Sequence, residues 1–192
     1  MLTRRAMLAL IFSLTLIVTG SAGPILQTGA ALAQSAPPQV PFGDQGGELA
    51  VNYNRLRPHI ATAGLLKEGA IPKLKAMGFT SAVDLRGPDE GTASEKEAVE
   101  SAGLRYFNIP VTDGLPTESQ IAEFARIVED ARNAPLVIHC ASANRVGAMW
   151  TMYRIWEGVP PEIAFEEGRT IGLQPNREAE IRTWLAVRTP TK

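Results

Sequence analysis

Pro135-Leu136-Val137-Ile138-His139-Cys140-Ala141-Ser142-Ala143-Asn144-Arg145 joins a short apolar run to a loop of small residues that closes on an arginine. Leu136 to Ile138 are apolar without alternation, the composition of a strand buried on both faces of a mostly parallel sheet. Val146 to Trp156 follows with the composition of a helix. Strand, loop and helix in this order put Cys140 at the carboxyl end of a central strand, where open α/β sheets bind their ligands.

A loop of this kind has a definite chemistry. The first turn of a helix directs unpaired N–H groups toward one spot, and the helix dipole adds partial positive charge there. A thiol in that field is favoured as thiolate. The planar fork of Arg145 suits two oxygens of a tetrahedral anion. The loop therefore reads as a nucleophile facing an anion seat, with the amides of Ala141, Ser142, Ala143 and Asn144 as the cradle. His139 either tunes or braces the loop by hydrogen bonding, or is a satisfied core histidine at the end of its strand.

Working outward from the loop, the pattern alternates in the α/β manner. Strands are expected at His59–Ala63, Phe79–Leu85, Leu104–Ile109 and Pro135–His139. Helices are expected at Ala70–Met77, with Gly78 as its stop, and at Ser94–Ala102, with Ser94 as N-cap and Glu97 at capping-box spacing. Thr117–Arg132 reads as an amphipathic helix with Ile121, Phe124, Ala125, Ile127 and Val128 on one side. Val146–Trp156, Pro161–Glu167 and Asn176–Val187 make the last third helical. The expected fold is a central, mostly parallel sheet flanked by helices.

The chain has 192 residues, which suits one domain behind a leader. Residues 1–33 have the layout of an export signal: Arg4-Arg5, an apolar stretch from Ala6 to Val18, and the small-residue site Ala31-Leu32-Ala33. The paired arginines fit a twin-arginine signal as well as an ordinary secretory one. The stretch is short for a membrane span, so no stable span is expected after cleavage. Residues 34–51 are read as a Pro/Gly-rich linker and 52–192 as the domain, placed in the periplasm or secreted.

Charge is balanced, with 19 Lys and Arg against 20 Asp and Glu and no basic block, so nucleic acid is not an expected partner. A single cysteine excludes an internal disulfide. Two histidines and one cysteine form no recognisable ligand spacing, so no metal and no cofactor is expected.

His-Cys, a short loop, Arg and a helix resemble the signature of the cysteine-dependent protein tyrosine and dual-specificity phosphatases. Asp113 on a loop upstream, and Tyr153 to Gly158 followed by Ala164 on later helices, agree in order. Asp84-Leu85-Arg86 and Ile109-Pro110-Val111 resemble more closely the bacterial beta-lactamase-hydrolase-like phosphatase domain. The resemblance covers about residues 52–187. It implies a dual-specificity-phosphatase-like fold, Cys140 as nucleophile, Arg145 as phosphate clamp and Asp113 as general acid. Its substrate would be a phosphorylated protein or a small phosphoester. Asp113-Gly114 also fits a plain turn. Asp84 and Asp89 are rival acids, and Arg86 either assists substrate binding or pairs with a carboxylate.

The pattern departs in three places. Four residues separate Cys140 from Arg145 where most tyrosine phosphatases have five, and four is also the loop length of many rhodaneses. Val146 stands where Ser or Thr commonly follows the arginine, and Ala143 stands where related loops carry glycine. If position 143 needs a positive φ, alanine costs on the order of 1 kcal/mol there. A phosphatase, a sulfurtransferase with a Cys140 persulfide and a weakly catalytic anion-binding domain are thus the readings the residues allow.

Overall fold

In the computed structural model the sheet has five strands: β1 (Asn54–Arg57), β2 (Ile60–Ala63), β3 (Ser81–Asp84), β4 (Arg105–Asn108) and β5 (Leu136–His139). The structure describes residues 46–112 and 114–188. The export signal, most of the linker and Asp113 lie outside the described residues. Spatial order is β1-β2-β5-β3-β4. Only the β1–β2 pair is antiparallel; β2–β5, β3–β5 and β3–β4 run parallel. The mostly parallel sheet is as expected, and β5 is its centre. The edge strand β1 went unread because Asn54-Arg55-Leu56-Arg57 has one apolar residue among three polar ones.

Among the described residues six helices cover the sheet: α1 (Ala70–Ala76), α2 (Thr92–Ser101), α3 (Glu118–Val128), α4 (Asn144–Trp156), α5 (Pro161–Ile171) and α6 (Pro175–Arg188). The period-2 alternation of strands sorts the core into two layers. Ile60, Val83, Leu136 and Ile138 pack with residues of α3, α4, α5 and α6. Ala61, Ala63, Ala82 and Val137 pack with residues of α1 and α2. Extending that alternation to the end of β5 sends His139 toward α2 and Cys140 toward α4.

Three boundaries differ from expectation. Within residues 46–51, the end of the expected linker, Leu49 and Ala50 are buried and Ala50 bridges Leu66, while Gly47, Glu48 and Val51 are exposed. The helix expected from Ser94 starts at Thr92, because Gly91, at φ 84°, lets the turn Pro88–Glu90 run directly into it. Ser94 Oγ donates to the carbonyl of Gly91 and is no N-cap. The helix expected over Thr117–Arg132 ends at Val128, where Asp130 opens a separate turn by accepting from Arg132 N. Thr117 is its true N-cap, in a capping box with Gln120.

Two glycines allow α4 and α5 to cross closely. A β-carbon on Gly147 would stand 2.6 Å from Leu173 N and 2.9 Å from the carbonyl of Gly168, both backbone atoms. A β-carbon on Gly168 would run into Thr151 Oγ1. The crossing is thus set by backbone contact, and it holds the base of α4 rigid behind the loop it caps.

Candidate active site

The loop 140–145 leaves β5 and enters α4, and its carbonyls are held from outside. Leu65 N donates to the carbonyl of Ala141 at 2.9 Å, Asn52 Nδ2 to that of Ser142 at 3.1 Å, and Gly147 N to that of Ala143 at 2.8 Å. In a trans peptide the C=O and the next N–H point in opposite directions. Each of these tethers therefore turns the following amide, Ser142, Ala143 and Asn144 in succession, to the other side of the turn. The amide of Cys140 is used differently, donating to Ala63 at 3.3 Å. The result is a shallow array of donors at the N-terminus of a 13-residue helix.

Ala143 sits at φ 69°, ψ −5°, so the position does require the left-handed conformation that glycine takes freely. Its side chain is fully buried against Gly172, where a β-carbon would come within 3.1 Å of that of Ala143. Gly64 plays the matching role on the other flank: a β-carbon there would stand 2.9 Å from the carbonyl of Ala141. Asn144 is not turned toward a ligand. Its Oδ1 accepts from Gln174 N at 2.9 Å and ties the start of α4 to the start of α6.

Cys140 is a free, buried thiol. Arg145 lies beside it, and a Cys140 anion is among the charges that stabilise the guanidinium. The pKa of Arg145 is raised chiefly by the hydrogen bonds it donates to Glu90. Arg145 Nη1 and Nη2 meet Glu90 Oε2 and Oε1, each at 2.6 Å, and Nη1 also approaches the carbonyl of Val111 at 3.4 Å. The same pairing holds the Glu90 carboxyl down at about 2. Nothing in the sequence singled out Glu90; the available signal was its place in a polar loop at the carboxyl end of β3.

Arg86 faces away from the loop and is a structural cation. It is almost fully buried, its Nη2 lies 2.8 Å from Asp84 Oδ2 and 2.6 Å from Glu95 Oε2, and its Nη1 donates to the carbonyl of Glu90 at 3.1 Å. The substrate-binding role allowed for Arg86 gives way to the pairing role. Burial alone would raise the Asp84 pKa, but hydrogen bonds from Arg86 and the charge of His139 outweigh it and lower it. Both oxygens of Asp84, named above as a rival acid, are engaged by Arg86, and Oδ2 also by Tyr106. Asp89 is exposed on the turn before α2.

His139 is buried on the same face as Asp84, its partner across the β3–β5 ladder. Its Nε2 lies 2.8 Å from Glu95 Oε1 without the alignment of a hydrogen bond. Asp84, Glu95 and His139 bring three possible ligand atoms within 4.8 Å of one another. Arg86 already supplies one positive charge between the two carboxylates. Tyr106 closes the group by donating to Asp84 Oδ2 at 2.9 Å, and burial together with the Asp84 charge raises its phenol pKa.

Asp113 is flanked by two placed neighbours. Val111 N donates to the carbonyl of Leu85, and Arg177 Nη1 donates to the carbonyl of Gly114 at 2.9 Å.

A thiol at the end of the central strand and an arginine at the start of the next helix are the arrangement found in the tyrosine and dual-specificity phosphatase class. Residues 59–182 match the sequence profile described as "DSP-PTPase phosphatase fused to NAD+ Kinase", and the chain belongs to that family. A beta-lactamase hydrolase-like protein of Agrobacterium fabrum is 28% identical over 125 residues. That match covers 62% of this chain but only 29% of the relative's length. Among solved structures, Tk-PTP in its active form superposes with a TM-score of 0.60 at 20% identity, covering 72% of this chain and 98% of its own. A Cys-to-Ser form of Pseudomonas aeruginosa TpbA in complex with phosphotyrosine superposes with a TM-score of 0.56 at 19% identity, covering 77% and 88%. At these identities the superpositions speak for the fold.

Proposed function

We propose that the chain is an exported phosphatase that hydrolyses phosphomonoesters through a phosphocysteine at Cys140. The observation that supports this reading is the loop itself: Cys140 and Arg145 stand together at the N-terminus of α4, and the carbonyls of Ala141 and Ser142 are taken up by Leu65 N and Asn52 Nδ2. Attack of the Cys140 thiolate on phosphorus would form the S–P bond and break the bond to the ester oxygen. The leaving oxygen would take its proton from Asp113, two residues along from Val111, whose carbonyl approaches Arg145. Water would then attack phosphorus, giving a proton to the Asp113 carboxylate; its O–P bond forms as the S–P bond breaks, releasing phosphate and returning the thiolate. Val146 offers no hydroxyl to that second step, so release of phosphate is expected to limit turnover.

Phosphotyrosine, phosphoserine or phosphothreonine, and small phosphoesters share the group that the loop would hold, and TpbA with bound phosphotyrosine favours an aryl ester as the first probe. Export rests on the leader at 1–33, whose paired arginines, apolar stretch and small-residue site precede the domain. The family match favours phosphatase over sulfurtransferase, despite the short loop.

The test is p-nitrophenyl phosphate turnover by the purified chain beside its Cys140→Ser and Asp113→Asn variants, with thiosulfate:cyanide transfer measured in parallel. Loss of turnover in Cys140→Ser and a large fall in Asp113→Asn are expected. Sulfur transfer in place of phosphatase turnover, or turnover indifferent to Cys140, would overturn the reading.

A further inference from the structure

We propose that Asn52 is a positioning residue of the anion loop, one that keeps the Ser142–Ala143 peptide from turning over. The inference rests on the phosphatase reading above. Three successive carbonyls of the loop are held, and two of the tethers are main-chain: Leu65 N on Ala141 and Gly147 N on Ala143. The middle tether is a side chain, Asn52 Nδ2, on the carbonyl of Ser142 at 3.1 Å. It is therefore the one of the three that a substitution removes outright.

The middle peptide is also the one with a reason to turn. Ala143 stands at φ 69°, ψ −5°, close to the third residue of a type II turn. Turning the preceding peptide over gives the type I form, in which that residue has a negative φ. Glycine takes either form freely, but alanine favours the type I form by roughly five- to thirtyfold. The Ser142 carbonyl and the Ala143 N–H lie on opposite sides of their trans peptide, so turning it exchanges them. A phosphate would then meet a carbonyl oxygen where it had met a donor. Asn52 opposes this, because its amide bonds the Ser142 carbonyl in only one of the two forms.

Asn52 is itself held. Its own φ is 48°, a left-handed value that asparagine tolerates better than most side chains. Its neighbour Val51 is paired twice, with its N–H on the carbonyl of Leu65 at 3.0 Å and its carbonyl on Gly64 N at 2.6 Å. Leu65 is the residue that holds Ala141, so both outer tethers rise from one paired segment. Gly64 lets that segment come close, since a β-carbon there would stand 2.9 Å from the Ala141 carbonyl and 3.1 Å from Ser142 Cα. A plain turn role for Asn52 predicts otherwise: glycine would take the same backbone and nothing at the loop would change.

Asn52→Gly keeps the left-handed backbone and removes only an exposed side chain, so the variant should fold, and thermal melting checks this. The experiment titrates inorganic phosphate into Cys140→Ser with and without Asn52→Gly, and compares p-nitrophenyl phosphate kinetics of the wild type and Asn52→Gly. Phosphate is expected to bind roughly two- to tenfold more weakly without Asn52, the worth of one hydrogen bond. The value of kcat/KM should fall by the same factor, because only the unturned form binds. Adding Ala143→Gly to these variants removes the bias toward the turned form and should recover most of the loss, which mere loosening of the loop would not allow. Unchanged phosphate affinity, or a loss that Ala143→Gly leaves in place, would overturn the inference while leaving the phosphatase reading intact. Absence of wild-type turnover would strike that reading, and the phosphate titration would still decide the role of Asn52. No phosphate binding to Cys140→Ser would overturn both.

Discussion

Asn144 Oδ1 accepts a hydrogen bond from Gln174 N at 2.9 Å, across 30 residues of sequence, so the first residue of α4 anchors the chain just before α6. The active loop is thereby tied to the C-terminal helices by a side chain that the phosphate would never touch. Asn144→Ala is expected to destabilise the protein by about 1 kcal/mol, the ordinary worth of one hydrogen bond, and to lower turnover less than any change at Arg145. Chemical denaturation beside steady-state kinetics separates the two effects.

Ala143 gives a test of backbone strain in which opposing terms nearly cancel. Glycine would relieve a left-handed alanine, worth roughly 1 to 2 kcal/mol. It would also lose a buried methyl, about 0.8 kcal/mol, and loosen the unfolded chain by roughly 0.4 to 1 kcal/mol. Ala143→Gly is therefore expected within about 1 kcal/mol of wild type. Ala143→Val, β-branched at φ 69° and pressed on Gly172, should destabilise by more than about 2 kcal/mol.

The helix crossing behind the loop should be far less forgiving. A methyl on Gly147 meets backbone atoms of Leu173 and Gly168, which cannot rotate aside. Gly147→Ala is expected to destabilise by about 2 to 3 kcal/mol, read as a fall in the denaturation midpoint.

The buried charge group predicts an acid sensitivity with a definite sign. Asp84 has its pKa lowered in the fold, so its contribution is complete above the ordinary value of 3.8 and is lost as pH falls further. Asp84→Ala would leave buried Arg86 with Glu95 and the carbonyl of Glu90 as partners and without its bidentate carboxylate, at an expected cost of about 3 to 5 kcal/mol. The variant should also lose much of the stability change below pH 4, measured by urea titration across pH.

Glu90 predicts the opposite kind of result, an absence of titration in the working range. Its carboxyl titrates at about 2, so the pair with Arg145 is complete above the ordinary glutamate value and is lost only as pH falls toward 2. Any acidic limb of the rate profile between pH 5 and 7 should belong to other groups, and its midpoint should stay in place in Glu90→Gln.

The loop was legible because its residue types are demanded by chemistry: a thiol, small residues and an arginine between a fully apolar strand and a helix. The parallel sheet was legible from unbroken apolar runs such as Leu136–Ile138. Glu90 and Glu95 were not, since their roles depend on where α2 begins, and that was set by Gly91 rather than by the Ser94 capping pattern. Arg86 could be read as substrate ligand or ion-pair partner because alternation along β3 places it with Asp84, yet only the fold brings Glu95 beneath it. Asn52 and Gly64 could not be found from sequence, because each acts from a distant segment on backbone atoms of the loop.

The outward carbonyl tethers of the loop have a consequence for how this site can change. Its donors belong to the main chain, and Ala141 and Ser142 are exposed. Those two positions can therefore be rewritten while the ring of amides keeps its shape. Preference among esters can drift at 141 and 142 without cost to the reaction, which makes them the first places to mutate when a new substrate is wanted.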